Sequence, residues 1–440
     1  MGFMDDGGIL LVGAPYQFWG TVRFIFGSPC AARLLPKAKG QNVPFCLAAD
    51  FRIFGNRRRA RGAGRAENKS DGFKNTRYGR KDFFMEQRQN KMYFWHSVLL
   101  GVLCILGSAV LKFPIEKAHS LPVLSVVLAT LLGGGYLLLL NRERKISNTM
   151  QKKPIKIAAF LLLFTGGAFS IGRCAFEYID FVDSSRLPNS SPVVLSLVFL
   201  LLVAAVGCGH TRTLYMFGLI GGILSTVIFI ITLLLSLPNI RPDALSVLKF
   251  HKKGSFYNAV LWFSHCYFPA GFLPLFLRFS GGPKTRKRIL WGFFGGTAAL
   301  ILSGLCALAS LGATAAKIEY PFATAAELIS FGKAFSRLEG PVQFLYMISA
   351  VTLCAVIYYV VRSAAKAIFK KQHLVGFLLL LPAFLFCSFK KLSGILTGSV
   401  ISWILFGVAV LTVLALPTIE ALSADCSHEA FPADCPEKPH

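Results

Sequence analysis

The chain is 440 residues long, 54% apolar and only 15% charged, with a mean hydropathy of +0.57, a balance foreign to a water-soluble domain of that size. Its 47 Lys and Arg against 21 Asp and Glu give a formal net charge of +26. The basic residues sit mainly near the N-terminus and in short loops between apolar runs, so membrane topology accounts for them without nucleic acid as a partner.

Residues 1–84 hold fifteen Lys and Arg against six Asp and Glu, with Arg57, Arg58, Arg59, Arg61 and Arg65 clustered among Gly, Asn and Ser. No helical or strand period emerges there, and the apolar stretch near Ile9 to Phe26 is interrupted by Gly, Pro and Arg23, unlike a signal peptide. The segment reads either as a disordered basic extension or as sequence upstream of a start at Met85 or Met92.

From Tyr93 onward, apolar runs of about 20 residues bounded by charges match a hydrocarbon layer roughly 30 Å thick. Ten such segments are expected, at 93–114, 121–140, 155–181, 192–208, 213–236, 255–279, 287–312, 341–368, 373–388 and 394–416. The expected fold is therefore an all-α membrane protein of about ten transmembrane helices over residues 85–416, followed by a short cytoplasmic tail, 417–440.

Loop charge orients the chain. The loops after even-numbered segments carry sixteen Lys and Arg, including Arg142, Arg278, Lys287 and Arg362, against eleven in the longer loops after odd-numbered ones. The even loops, and with them both termini, are expected on the cytoplasmic side of a multi-pass protein.

Interruptions of a membrane helix locate sites, because freed backbone groups must find protein, water or solute. The first segment contains Gly107, Ser108 and Ala109 and ends at Pro114; the sixth reads Ser264, His265, Cys266, Tyr267, Phe268, Pro269, Ala270, Gly271. These are the first helices of two five-helix halves, the arrangement that in transporters places a solute site at the interface of the halves. Gly107, Ser108, Ala109, His265, Cys266 and Gly271 are accordingly the candidate ligand-binding residues, with half-helix N–H groups suited to a carboxylate and unwound carbonyls to an ammonium.

Arg173, Glu177 and Asp180 are ionisable residues inside the third segment, where charge is costly and faces a partner or a cavity. Arg173 and Glu177 are four apart and can meet on one helical face, either as an internal ion pair or as a wall of the solute pathway. His265 suits a proton relay or a simple hydrogen bond. Gly133, Gly134 and Gly135, and Gly221 and Gly222, read as helix-packing surfaces. Between the seventh and eighth segments, Ala323 to Leu338 favours a helix lying on the outer surface as a lid, the alternative being an ordered loop that only covers helix ends.

Of eleven cysteines, Cys104, Cys174, Cys208, Cys306, Cys354 and Cys387 sit singly in apolar segments and read as small packing residues. Cys426 and Cys435 in the tail have no further His or Cys to complete a metal site. No phosphate-binding loop, nucleophile elbow or metal-binding His/Glu repeat is present, so neither an enzyme nor a cofactor is expected.

Tyr320 and Pro321, followed by Phe331, Gly332, Phe335, Arg337, Leu338 and Glu339, resemble the YP and F-x-R-L-E pattern of the spore germination permeases, the B subunits of nutrient germinant receptors. Gly107 to Pro114 is similar to that family's first-helix break, and Arg173 with Leu187, Pro188, Ser191 and Pro192 resembles its third-to-fourth helix connection; the likeness covers about 90–416. It implies a five-plus-five inverted repeat of the amino acid, polyamine and organocation transporter superfamily, with broken first and sixth helices. It further implies an inner spore membrane location, A and C receptor subunits as partners, and an amino acid or similar small solute as ligand. Glu339 then joins Arg173 and Glu177 as a possible pathway or gating residue. The family's sixth helix often carries an acid after the break, where this chain has Phe272. The other expectation is a stand-alone proton- or sodium-coupled amino acid permease.

Overall fold

The computed structural model describes residues 94–108, 121–142, 153–185, 191–209, 211–241, 248–249, 255–280, 286–329, 339–369, 372–388, 399–420 and 422. The N-terminal 1–84 segment, Ala109, Pro114, Leu187, Pro188, Phe331 to Leu338, Cys426 and Cys435 lie outside these residues.

An apolar helix stands at each of the ten expected positions. They are α1 (Phe94–Ser108), α2 (Val123–Leu140), α3 (Lys153–Ser185), α4 (Pro192–Gly207) and α5 (Thr211–Ser236), then a composite segment made of α6 (Ser255–Trp262), a π turn (Phe263–Tyr267), α7 (Phe268–Ala270) and α8 (Phe272–Phe279). After it come α9 (Arg286–Leu311), a short α10 (Pro321–Glu327), α11 (Glu339–Lys366), α12 (Gln372–Ser388) and α13 (Ser399–Leu414). Five of them are long and apolar enough to cross a membrane, as expected of a multi-pass membrane protein, and the other five apolar helices are shorter. Between them, Leu121 and Pro122 pair in parallel with Leu248 and Lys249.

Helices dominate because a chain this apolar has few side chains with which to satisfy an exposed backbone, and a helix closes its own N–H and C=O groups. Position in the bundle follows from composition. The composite segment and α11 are the inner helices, 89% and 83% buried over their apolar windows, whereas α5 is 33% buried. The outward faces carry Leu131, Ile220, Leu234, Trp291, Phe377 and Val400, each more than half exposed, apolar surface of the kind that lipid, not water, would cover. α3 packs against α11, α12, α4 and α13, and α11 also packs against α4, α5 and α8.

Helix ends gather on two opposite sides. On one, Arg278 donates to the carbonyls of Leu140 and Arg142 and pairs with Glu420, while Arg362 donates to the Cys208 carbonyl at 2.9 Å and Tyr215 hydrogen-bonds Ser280 at 3.2 Å. This is where the second, fourth, sixth and eighth apolar segments end. On the other side the Arg241 amide donates to the Ala309 carbonyl at 3.0 Å and Asn239 to that of Leu328 at 3.3 Å.

Beyond the last apolar segment, after a turn at Ala415, the chain is helical again through Glu420; Leu416, Ile419 and Leu422 are buried and the Arg278 guanidinium pairs with the Glu420 carboxylate. Where a helix is expected from Ala323 to Leu338, a helix runs from Pro321 to Glu327, and residues 330–338 lie outside the described residues. Phe322, Ala323, Ala325 and Ala326 are buried, against α9, α11 and α5.

Tyr320, just before α10, donates to Asp180 at 2.5 Å and lies edge-on against Phe181. Burial, and the carboxylate it donates to, push the Tyr320 phenol above its ordinary value and keep it a donor. Tyr320→Phe should therefore lower the thermal midpoint of the detergent-solubilised chain, by a loss of about 1–2 kcal/mol, while Asp180→Asn, which keeps an acceptor, should cost less. A wild-type midpoint in Tyr320→Phe would show that this bond does not hold α10 in place.

Candidate functional site

The two stretches read from the sequence as interruptions meet. Ser108, the last residue of α1, places its hydroxyl 2.6 Å from the Ile105 carbonyl and 3.1 Å from the Cys266 carbonyl in the π turn. A π turn shifts the helical bonds from the fourth to the fifth residue and disturbs the register of acceptors, which is why such turns recur at functional sites. Here the Cys266 carbonyl accepts from a different helix.

Gly107 is required by proximity. A Cβ at this position would strike the Ser349 carbonyl of α11, so α1 and α11 touch backbone to backbone as small residues permit. The Cys174 thiol of α3 approaches the Gly107 carbonyl at 3.3 Å and that of Ala350 at 3.9 Å, joining three helices at one point. On the far side of the π turn, the Ser264 hydroxyl donates to the Ser402 carbonyl of α13 at 2.7 Å.

Beside this junction stands a buried charge cluster. Arg173 Nε lies 3.1 Å from Glu177 Oε1, with side-chain exposures of 5% and 4%, so the four-residue spacing yields an ion pair on one face of α3. Arg173 Nη2 also contacts His265 Nε2. A guanidinium has no lone pair to offer, so Nε2 is the acceptor and the imidazole proton sits on Nδ1, 3.9 Å from Glu177 Oε1. Arg173 Nη1 has no partner, and neither has the Ser349 hydroxyl.

The sequence-derived candidates therefore divide. Gly107, Ser108, Cys266, His265, Arg173 and Glu177 converge on one place where α1, α3, the π turn and α11 meet. Gly271 stands apart: a Cβ there would strike the Tyr136 ring of α2, and its N–H is bonded to the Tyr267 and Phe268 carbonyls. The Gly271 N–H is therefore already taken within its own helix. Glu339 is the first residue of α11. Of the glycines read as packing surface, Gly133 abuts Tyr267, Gly134 Phe293, Gly221 Ile348 and Gly222 Leu99, whereas Gly135 is open.

Ser349, Ser264 and Ser402 were missed because single serines within apolar helices commonly bond their own turn. Cys174, expected as filler, does more than pack. Among the described residues, no group of three His, Cys, Asp or Glu side chains is placed to hold a metal ion. No protein-family model matches the chain, and no curated protein matches it in sequence.

Gly107→Ala already forces α1 from α11 and should cost about 1–3 kcal/mol, whereas Ser108→Ala, losing one interhelical bond, should cost about 0.6 kcal/mol. Thermal midpoints in detergent compare them directly; the reverse order would mean that α1 and α11 are less tightly apposed than the Gly107 contact requires.

Proposed function

We propose that this chain is a ten-span membrane protein of the five-plus-five inverted-repeat type, with both termini cytoplasmic, that binds an amino acid or similar small solute where its first and sixth helices are interrupted. Its role is that of the germinant-binding B subunit of a spore nutrient receptor, acting with A and C subunits in the inner spore membrane. The observation that carries the solute site is the 3.1 Å contact of Ser108 with the Cys266 carbonyl, which joins the two interruptions beside Arg173, Glu177 and His265. The receptor role rests on the resemblance around Tyr320, Pro321 and Glu339.

Chemically, such a junction suits a switch. A solute that bridges α1, the π turn and α3 binds one arrangement of these helices better than another and shifts the population between them by the difference in its affinity. Neighbouring subunits contacting the outer helices sense that shift as a coupling free energy. A stand-alone proton-coupled permease is the second reading, and the imidazole held between Arg173 and Glu177 is the feature that favours it.

Purified full-length chain in lipid vesicles separates them. Amino acids that raise its thermal midpoint without being taken up support the receptor subunit, whereas uptake driven by a proton or sodium gradient makes it a transporter. Gly107→Leu, inserted at wild-type level, should lose the ligand-induced shift; a retained shift would move the solute site away from α1.

A further inference from the structure

The blunt end of the Arg173 guanidinium is only half used. Nε, on the side edge, is taken by Glu177 at 3.1 Å. At the end, Nη2 meets the His265 imidazole and Nη1 has no partner, in a residue that is 4% exposed. A buried donor left unmade is destabilising by about 1–3 kcal/mol, and more when it is charged. Glu177 cannot reach round to satisfy Nη1 without giving up Nε, because the two residues are fixed one turn apart on α3. What fits the Nη1 and Nη2 pair is a group with two acceptor oxygens at matching separation, and in an amino acid or similar small solute that group is the carboxylate.

Resting on the solute-binding reading above, we propose that the Nη1 and Nη2 end of Arg173 is the carboxylate subsite of the solute site, and that an incoming carboxylate displaces His265 from Nη2 as it engages Nη1. His265 is the displaceable partner on three grounds. Its side chain is 25% exposed where that of Glu177 is 4% exposed, it accepts through a single neutral nitrogen, and it sits on the π turn, whose helical register is already disturbed. The Glu177 pair persists during the exchange and keeps the guanidinium plane oriented. Ser349, whose hydroxyl is also unsatisfied and whose carbonyl abuts Gly107, is the second polar side chain of the same junction.

Charge balance narrows the solute further. Arg173 and Glu177 already cancel, so a simple anion would leave one net negative charge buried, whereas a zwitterion brings its own compensation. The subsite therefore selects amino acids with a free carboxylate over their amides, over decarboxylated amines and over plain carboxylic acids.

The test uses purified full-length chain in detergent, with each of the twenty amino acids scored by thermal shift and affinities then measured for the stabilising ones and for their amides. Wild-type protein should bind the acid at least about tenfold more tightly than its amide, the ratio expected for losing one charge-assisted bond. Arg173→Lys keeps the charge but not the fork, and should weaken the acid by about 10- to 100-fold while leaving the amide nearly unchanged. Because altering one member of a buried pair endangers folding, the neutral double variant Arg173→Gln with Glu177→Gln serves as a second check, and it should bind acid and amide alike. His265→Ala should bind the acid at least as tightly as wild type, since it removes the competitor. Equal affinity of wild-type protein for acid and amide, or loss of acid binding in His265→Ala, would overturn the subsite and leave the solute-binding reading standing. Stabilisation by none of the amino acids or amides would overturn both.

Discussion

Taking a guanidinium out of water forfeits hydration worth several kcal/mol, and the helices around Arg173 are arranged to return it. Glu177 supplies the opposite charge from the next turn of α3, and His265 supplies a neutral acceptor from the π turn. Removing either carboxylate or guanidinium alone would strand the other, a loss of about 3–5 kcal/mol for a buried pair. α3 cannot rotate without exposing that pair to apolar neighbours, and the π turn is tied to α3 through the imidazole. One contact between the innermost segment and α3 thus runs through a buried cation.

Close backbone approach is the second constraint, and it acts at the same place. Gly107 lets α1 touch α11, so that the Cys174 thiol, the Ser108 hydroxyl and the Cys266 carbonyl fall within hydrogen-bonding distance across four elements. α11 lies buried behind the junction, whereas α5 outside it is the more exposed helix. On the solute-binding proposal, an arriving solute meets polar groups that the protein has positioned but not all satisfied, Arg173 Nη1 and Ser349 Oγ among them, and such groups are expensive to keep in an apolar interior.

Periodicity and charge were enough to place all ten apolar helices, since segment length and charged borders are set by local composition. They also indicated which ends lie together, since even-numbered segments end near Arg278 and Arg362. They did not reach what comes from far along the chain. The Glu420 carboxylate meets Arg278, 142 positions away, and α10 owes its burial to α9 and α11. Gly271 looked like Gly107 by sequence, beside a proline and within a break, but its neighbour is the Tyr136 ring and its N–H is already bonded.

Composition and spacing within one or two turns were enough for the helical class, the ten apolar segments, the two stretches expected to interrupt their helices and the Arg173–Glu177 spacing. Long-range packing supplied the rest: those stretches touch through Ser108 and Cys266, the sixth is a π turn in a continuous helix, His265 reaches Arg173, and Nη1 is left without a partner. The difference lies in range: segment character is a sum over neighbours in the chain, whereas hydrogen-bond satisfaction in an apolar interior depends on which distant residues the packing brings within about 3 Å.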